Sequence, residues 1–137
     1  MRQIVIIMGS ESDRPHANRI LNALQGYDAV VTIHVASAHK QPLEVLRIIE
    51  SYAAQHAVVY ITVAGRSNAL SGFTAANTTF PVLACPPFTD RTDMLVNIHS
   101  TLQMPSNVPV LTVLEPANAA LAAMRILDLA TTIQGSV

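Results

Sequence analysis

Charge is scarce in this chain: 12% of its 137 residues are Asp, Glu, Lys or Arg, half are hydrophobic, and the mean hydropathy is +0.37. Soluble domains usually carry about 25% charged residues, so an ordinary solvated surface is not available to this chain. Either a membrane or another protein surface has to cover the excess apolar area. Two long uncharged stretches, Ser67 to Thr89 and Met94 to Leu114, fail as membrane spans. A span needs about 20 predominantly apolar residues. The first stretch is broken by Asn68, Asn77, Pro81, Pro86 and Pro87, the second by Asn97, Pro105, Asn107 and Pro109. The expectation is therefore a tightly packed homo-oligomer with no membrane contact.

Other absences narrow the field. A single cysteine, Cys85, permits no internal disulfide and fits a reducing, cytoplasmic compartment. A net charge of −1 without a basic cluster argues against nucleic acid as a partner. Neither the Rossmann nor the P-loop glycine fingerprint occurs, which disfavours a dinucleotide or a triphosphate. His16, His34, His56 and His99 show no metal spacing, so no metal site is expected. The apolar run Ile4 to Met8 is shorter than the region of about 7–15 residues in a secretory leader, and it reads as a first strand. No repeat, low-complexity tract or linker divides the chain, so residues 1–137 are read as one domain.

What is present is an alternation. Apolar runs at Ile4–Met8, Ala29–Val35, Val58–Ala64, Pro81–Cys85 and Val110–Leu114 read as strands. Between and after them, helices are expected after Asp13 to about Gln25, from Pro42 to about Gln55, to near Thr78, from about Arg91 to Leu102, and from Ala117 to Thr132. Five strands alternating with five helices predict a three-layer, flavodoxin-like, doubly wound parallel sheet in the order 2-1-3-4-5. The last helix is alanine-rich from Ala117 to Ala123, suiting both core packing and a subunit contact. In such a sheet ligands bind at the carboxyl ends of the strands, where the order reverses between strands 1 and 3. The loops after strands 1, 2 and 3 should hold the site.

Those loops are chemically distinctive. Gly9-Ser10-Glu11-Ser12-Asp13 opens a helix whose N-terminus would stabilise an anion such as phosphate, although helix capping alone would account for its serines. Ser37-Ala38-His39-Lys40-Gln41-Pro42 sets a group that changes charge near neutral pH beside a cation, although a solvated surface loop would look the same. Gly65-Arg66-Ser67-Asn68 leads into the next helix and supplies donors, although Arg66 alone is equally a surface charge and Ser67 a helix cap. All three loops converge on one edge of the sheet. Cys85 reads as a buried apolar group rather than a nucleophile, and Glu115 before Pro116 as a helix starter.

At these loops the chain resembles the aminoimidazole ribonucleotide (AIR) carboxylase family. The resemblance rests on Met8-Gly9-Ser10-x-Ser12-Asp13, Ser37-Ala38-His39-Lys40-x-Pro42 and Val63-Ala64-Gly65-Arg66-Ser67-Asn68-x-Leu70. It extends through Asn77-Thr78, Pro81-Val82, Cys85-Pro86-Pro87 and Leu102-Gln103-Met104-Pro105. Class I of that family isomerises the N5-carboxylated substrate and carries arginine where Lys40 stands and histidine where Ala69 stands. These departures resemble class II, the animal-like form, which joins AIR and carbon dioxide without ATP, biotin or metal, here as a stand-alone chain. The resemblance implies His39 as proton carrier, with Ser10, Ser12, Asp13, Ser37 and Lys40 on the ribose-phosphate. It implies Gly65, Arg66, Ser67 and Asn68 around the base and carbon dioxide, and an octamer with sites between subunits. The alternatives are the class I mutase, another nucleotide-ring carboxylase on this scaffold, and a non-enzymatic flavodoxin-like binding or receiver module. A receiver needs acidic strand ends, and the strands here end in Gly9, Ser37, Gly65 and Cys85.

Overall fold

The computed structural model describes residues 1–135. Its centre is a pair of parallel strands, β1 (Arg2–Met8) and β3 (Ala57–Val63), in continuous register from Arg2 opposite Ala57 to Met8 opposite Val63. From Ile4 to Met8 and from Ala57 to Val63 the side chains are almost all branched or apolar, the pattern required when both faces of a sheet are covered. Alternate residues point to opposite faces and feed two separate cores. Ile4, Ile6, Met8, Val59, Ile61 and Val63 pack beneath α1 (Arg14–Ala23) and α6 (Pro116–Gly135), against Ala17, Ile20, Ala120 and Met124. Val5, Ile7, Val58 and Tyr60 pack beneath α2 (Pro42–Ser51) and α3 (Leu70–Ala76), against Val45, Ile48, Ile49 and Leu70. Fully burying one such side chain contributes about 1.5–3 kcal/mol, so most of the fold's hydrophobic stabilisation sits around these two strands.

β2 (Val30–Val35) adds to β1 on one side, and β4 (Val82–Ala84) and β5 (Leu111–Thr112) add beyond β3, all parallel. The order is β2-β1-β3-β4-β5, the flavodoxin-like order expected from the sequence. The reversal falls between β1 and β3. Ladder bonds run on past the strand ends there, from Gly9 N–H to Val63 O (3.0 Å) and from Ala36 N–H to Met8 O (3.0 Å). The roots of the first three loops are thus stitched to one another before the loops diverge.

Several boundaries differ from the sequence expectation. Helix α1 ends at Ala23 rather than near Gln25, and Gly26 adopts φ +86, a left-handed conformation open to glycine, to turn the chain toward β2. Helix α2 stops at Ser51 rather than near Gln55, and residues 52–54 continue in turns. The fourth and fifth strands keep three and two residues. The expected helix from Arg91 to Leu102 divides into α4 (Arg91–Asn97) and α5 (His99–Leu102), with Ile98 between them still in helical dihedrals (φ −65, ψ −24). Among the described residues six α-helices therefore replace the five expected. The final helix starts at Pro116, where Glu115 accepts from the N–H groups of Ala117 and Ala119, the starting role its position suggested. Ala119, Ala120 and Ala123 are buried in the core, while Leu121 and Leu129 face outward. No helix among the described residues is long and apolar enough to cross a membrane.

Candidate active site

A cleft of about 280 Å³ opens at the carboxyl edge of the sheet, between the loops after β1, β2 and β3. Its rim is polar (Ser10, Asp13, Ser37, His39, Lys40, Arg66, Ser67) and its floor small and apolar (Ala38, Ala64, Ala69, Leu70). A second cavity, of about 360 Å³, lies at the opposite edge of the sheet among Ile49, Ala53 and residues 76–80. It has no ionisable lining group, so its larger size carries no chemistry.

The first loop is a single 3-10 turn, Glu11–Asp13, capped by Ser10, whose hydroxyl accepts from Ser12 N–H (3.3 Å) and lies 2.9 Å from the Ser12 hydroxyl. Asp13 then begins α1, with Pro15 in the first turn where a missing N–H costs nothing. Burial pushes the Asp13 carboxyl above its ordinary value, and a backbone hydrogen bond from Ser10 opposes the shift. A carboxylate held partly out of water next to a helix start is ready to accept hydrogen bonds from a polyhydroxylated ligand.

The second loop closes on itself. Ser37 O accepts from Gln41 N–H (2.7 Å), and the Ser37 hydroxyl accepts from Lys40 N–H (3.2 Å), which leaves the hydroxyl proton to donate. The closed turn leaves His39 and Lys40 exposed, and both line the cleft. His39 Nε2 is 2.6 Å from the carbonyl oxygen of Ser67. A carbonyl only accepts, so Nε2 carries the hydrogen in this arrangement, and Nδ1 holds the lone pair able to take a proton.

The third loop is held tightly. A Cβ on Gly65 would lie 2.3 Å from Pro87 O, so only glycine lets this loop meet the Pro86-Pro87 segment. Ser67 adopts φ +46, a left-handed conformation that costs a non-glycine residue about 1–2 kcal/mol. Asn68 turns inward. It is 4% exposed, with Nδ2 donating to Ser71 Oγ (2.7 Å) and Thr101 Oγ1 (2.9 Å), Oδ1 accepting from Ser71 N–H (3.1 Å), and its own N–H donating to Ser100 Oγ (2.8 Å).

Of the residues expected at the site, Ser10, Asp13, Ser37, His39, Lys40, Gly65, Arg66 and Ser67 line one cleft. Two do not. Ser12 is spent on the Ser10 turn, and the Asn68 side chain is fully engaged in the interior. The sequence reading missed Ser71, Ser100, Thr101 and Thr62, a buried polar group around Asn68. The available signal was polar side chains inside otherwise apolar stretches. The motif Leu102-Gln103-Met104-Pro105 has a packing role as well: a Cβ on Gly72 would come 3.0 Å from Met104 Sδ, so this segment presses on α3. Cys85 is buried at the end of β4, 3.5 Å from His16 Nε2, and burial pushes its thiol up to about 12, which suits an apolar filler and not a nucleophile. Among the described residues, no three His, Cys, Asp or Glu side chains gather as a metal centre would require.

Fold and cleft together define a flavodoxin-like α/β domain with a polar, partly cationic cleft at the topological switch point. The AIR carboxylase family profile matches residues 3–135. Phosphoribosylaminoimidazole carboxylase of Archaeoglobus fulgidus is 48% identical over 125 residues, covering 91% of this chain and 68% of that protein. The Treponema denticola carboxylase of the same name is 42% identical, covering 92% of this chain and 79% of the relative. The human bifunctional phosphoribosylaminoimidazole carboxylase/succinocarboxamide synthetase is 38% identical, and this chain spans 30% of its length. The crystal structure of Treponema denticola PurE superposes with a TM-score of 0.84 at 38% identity, covering 99% of this chain and 91% of that one. The chain belongs to the AIR carboxylase family.

Proposed function

We propose that this protein carboxylates AIR at C4 with carbon dioxide, in purine biosynthesis, without ATP, biotin or metal. The reading is carried by one observation: His39 stands at the lip of the switch-point cleft with Nε2 bonded to Ser67 O, so that Nδ1 is the basic atom. AIR is an electron-rich enamine. Its C4 attacks carbon dioxide, a C–C bond forms, and the ring loses aromaticity until the C4 proton leaves. Nδ1 of His39 takes that proton, a step for which a positioned base contributes about 10²–10⁴-fold.

Lys40, the Ser37 hydroxyl and the turn begun by Ser10 hold the ribose-phosphate, with Asp13 accepting from the ribose. Arg66, Ser67 and the backbone at Gly65 frame the heterocycle. The small apolar floor of Ala38, Ala64 and Ala69 suits a linear, apolar gas and keeps water from competing for it. Lys40 in place of arginine and Ala69 in place of histidine favour direct use of carbon dioxide over mutase chemistry.

The reading includes a homo-octamer working in the cytoplasm. The scarcity of charge supports assembly, as do the exposed Leu95, Val96, Leu102, Leu111 and Leu114 along α4, α5 and the β5 flank. A monodisperse monomer in light scattering would remove the assembly. For the chemistry, purified protein should form carboxylated product from AIR and bicarbonate without ATP, and His39→Asn should lose about 10²–10⁴-fold in turnover. Turnover of the N5-carboxylated compound alone would reassign the protein to the mutase reaction, and full activity of His39→Asn would remove His39 from the mechanism.

A further inference from the structure

The carbonyl that anchors His39 belongs to a residue in a strained conformation, and strain of that kind persists only where surrounding contacts over-determine it. Ser67 itself is exposed, with φ +46. The next residue, Asn68, is buried and uses both side-chain hydrogens, its side-chain oxygen and its backbone N–H. Two of those four bonds run to α5, more than thirty residues along the chain: to Thr101 Oγ1 at 2.9 Å and to Ser100 Oγ at 2.8 Å. The other two run to Ser71 at the start of α3, whose hydroxyl lies 2.7 Å from Thr62 Oγ1 on β3. Thr62, Ser71 and Thr101 are at most 1% exposed. A hydroxyl chain therefore joins the central strand, the third loop and α5, and Ser67 is the exposed residue immediately beside it.

We propose that Thr101 and Ser100 are positioning residues for proton transfer: they lock Asn68, hold the Ser67 carbonyl toward His39, and so fix the imidazole as the Nε2–H tautomer with Nδ1 facing substrate. Neither residue lines the cleft. Both act through Asn68 and Ser67. In a site where the reacting atoms must be placed within fractions of an ångström, releasing this carbonyl lowers turnover and leaves binding of the ribose-phosphate to the other two loops.

The catalytic consequence rests on the proposed carboxylation; the tautomer does not, and the two are tested apart. In Thr101→Val the side chain keeps its shape and loses its acceptor. Its kcat should fall on the order of 10- to 100-fold, with KM for AIR within about twofold because the phosphate contacts are untouched. Thr101→Ser, which restores an oxygen, should recover most of the turnover. Ser100→Ala, at a less buried position, provides the same test should Thr101→Val fold poorly. Nitrogen-15 NMR of the unliganded protein reads the imidazole directly: wild type should show His39 protonated at Nε2, and Thr101→Val or Ser100→Ala a mixture of tautomers. Unchanged kcat in folded Thr101→Val and Ser100→Ala, or an unaltered His39 tautomer in both, overturns the positioning role. If wild type does not turn over AIR and bicarbonate, the carboxylase reading falls, and the tautomer measurement alone still decides whether the hydroxyl chain sets the imidazole.

Discussion

The loops after β2 and β3 meet at one hydrogen bond, His39 Nε2 to Ser67 O, yet they are built in opposite ways. The β2 loop is closed by its own backbone between Ser37 and Gln41 and leaves His39 and Lys40 in solvent. The β3 loop is pinned from outside itself, by Pro87 against Gly65 and by α3 and α5 around Asn68. One loop leaves its ionisable side chains exposed and the other forms a fixed frame beside it. Exposed side chains cost the fold little, whereas the Ser67 carbonyl sits on a loop held by the adjoining α3 and by two distant segments, Pro86-Pro87 and α5.

Replacing Gly65 should separate the loops most sharply. A Cβ there meets a backbone oxygen at 2.3 Å, so the loop or the Pro86-Pro87 segment has to move. Gly65→Ala should cost about 1–3 kcal/mol of stability and nearly all activity, read by thermal melting beside the carboxylation assay. A wild-type melting curve would show the β3 loop to be far less rigid than its packing implies. Lys40→Met probes the other loop. It should raise KM roughly tenfold or more, the effect of losing one charged contact, with stability altered by less than about 0.5 kcal/mol. A large fall in melting temperature would mean that the β2 loop carries structural weight as well.

The smallest effect is expected at Asp13, in the first loop. Burial raises its carboxyl above the ordinary value, so the folded state holds the proton more firmly than the unfolded chain does. The resulting stability is fully present below the unfolded pKa and is lost as pH rises through the folded one. At neutral pH the charged group is therefore a small burden. Asp13→Asn should gain less than about 1 kcal/mol, discounted for its partial exposure, while weakening AIR binding. A destabilised Asp13→Asn would show that the carboxylate is needed by the fold itself.

The legible parts of the chain were those whose signal is local. Ile4–Met8 and Val58–Ala64 read as strands because their runs are almost wholly apolar, and the loop after each strand fell at the sheet edge that topology assigns to ligands. His39 and Lys40 were legible because polar side chains between two apolar elements have nowhere to go but the edge. The direction of Asn68 was not. A sequence states that an amide is present, while its partner Thr101 lies 33 residues away and shows no local mark of that role. The short fourth and fifth strands were overestimated because Pro81-to-Cys85 and Val110-to-Leu114 have the composition of strands, while pairing extends only over Val82–Ala84 and Leu111–Thr112.

The brevity of β5 has a consequence for how the molecule opens. With two residues in the ladder and Leu111 half-exposed, that edge is held by a short pairing with β4, the bond from Val113 N–H to Ala84 O, and the partly buried Val110 and Val113 packed against the two cores. Amide hydrogens there will exchange with solvent long before those of β1 and β3. In the isolated subunit local unfolding is therefore expected to start at that flank, with the central pair β1 and β3 among the last to come apart.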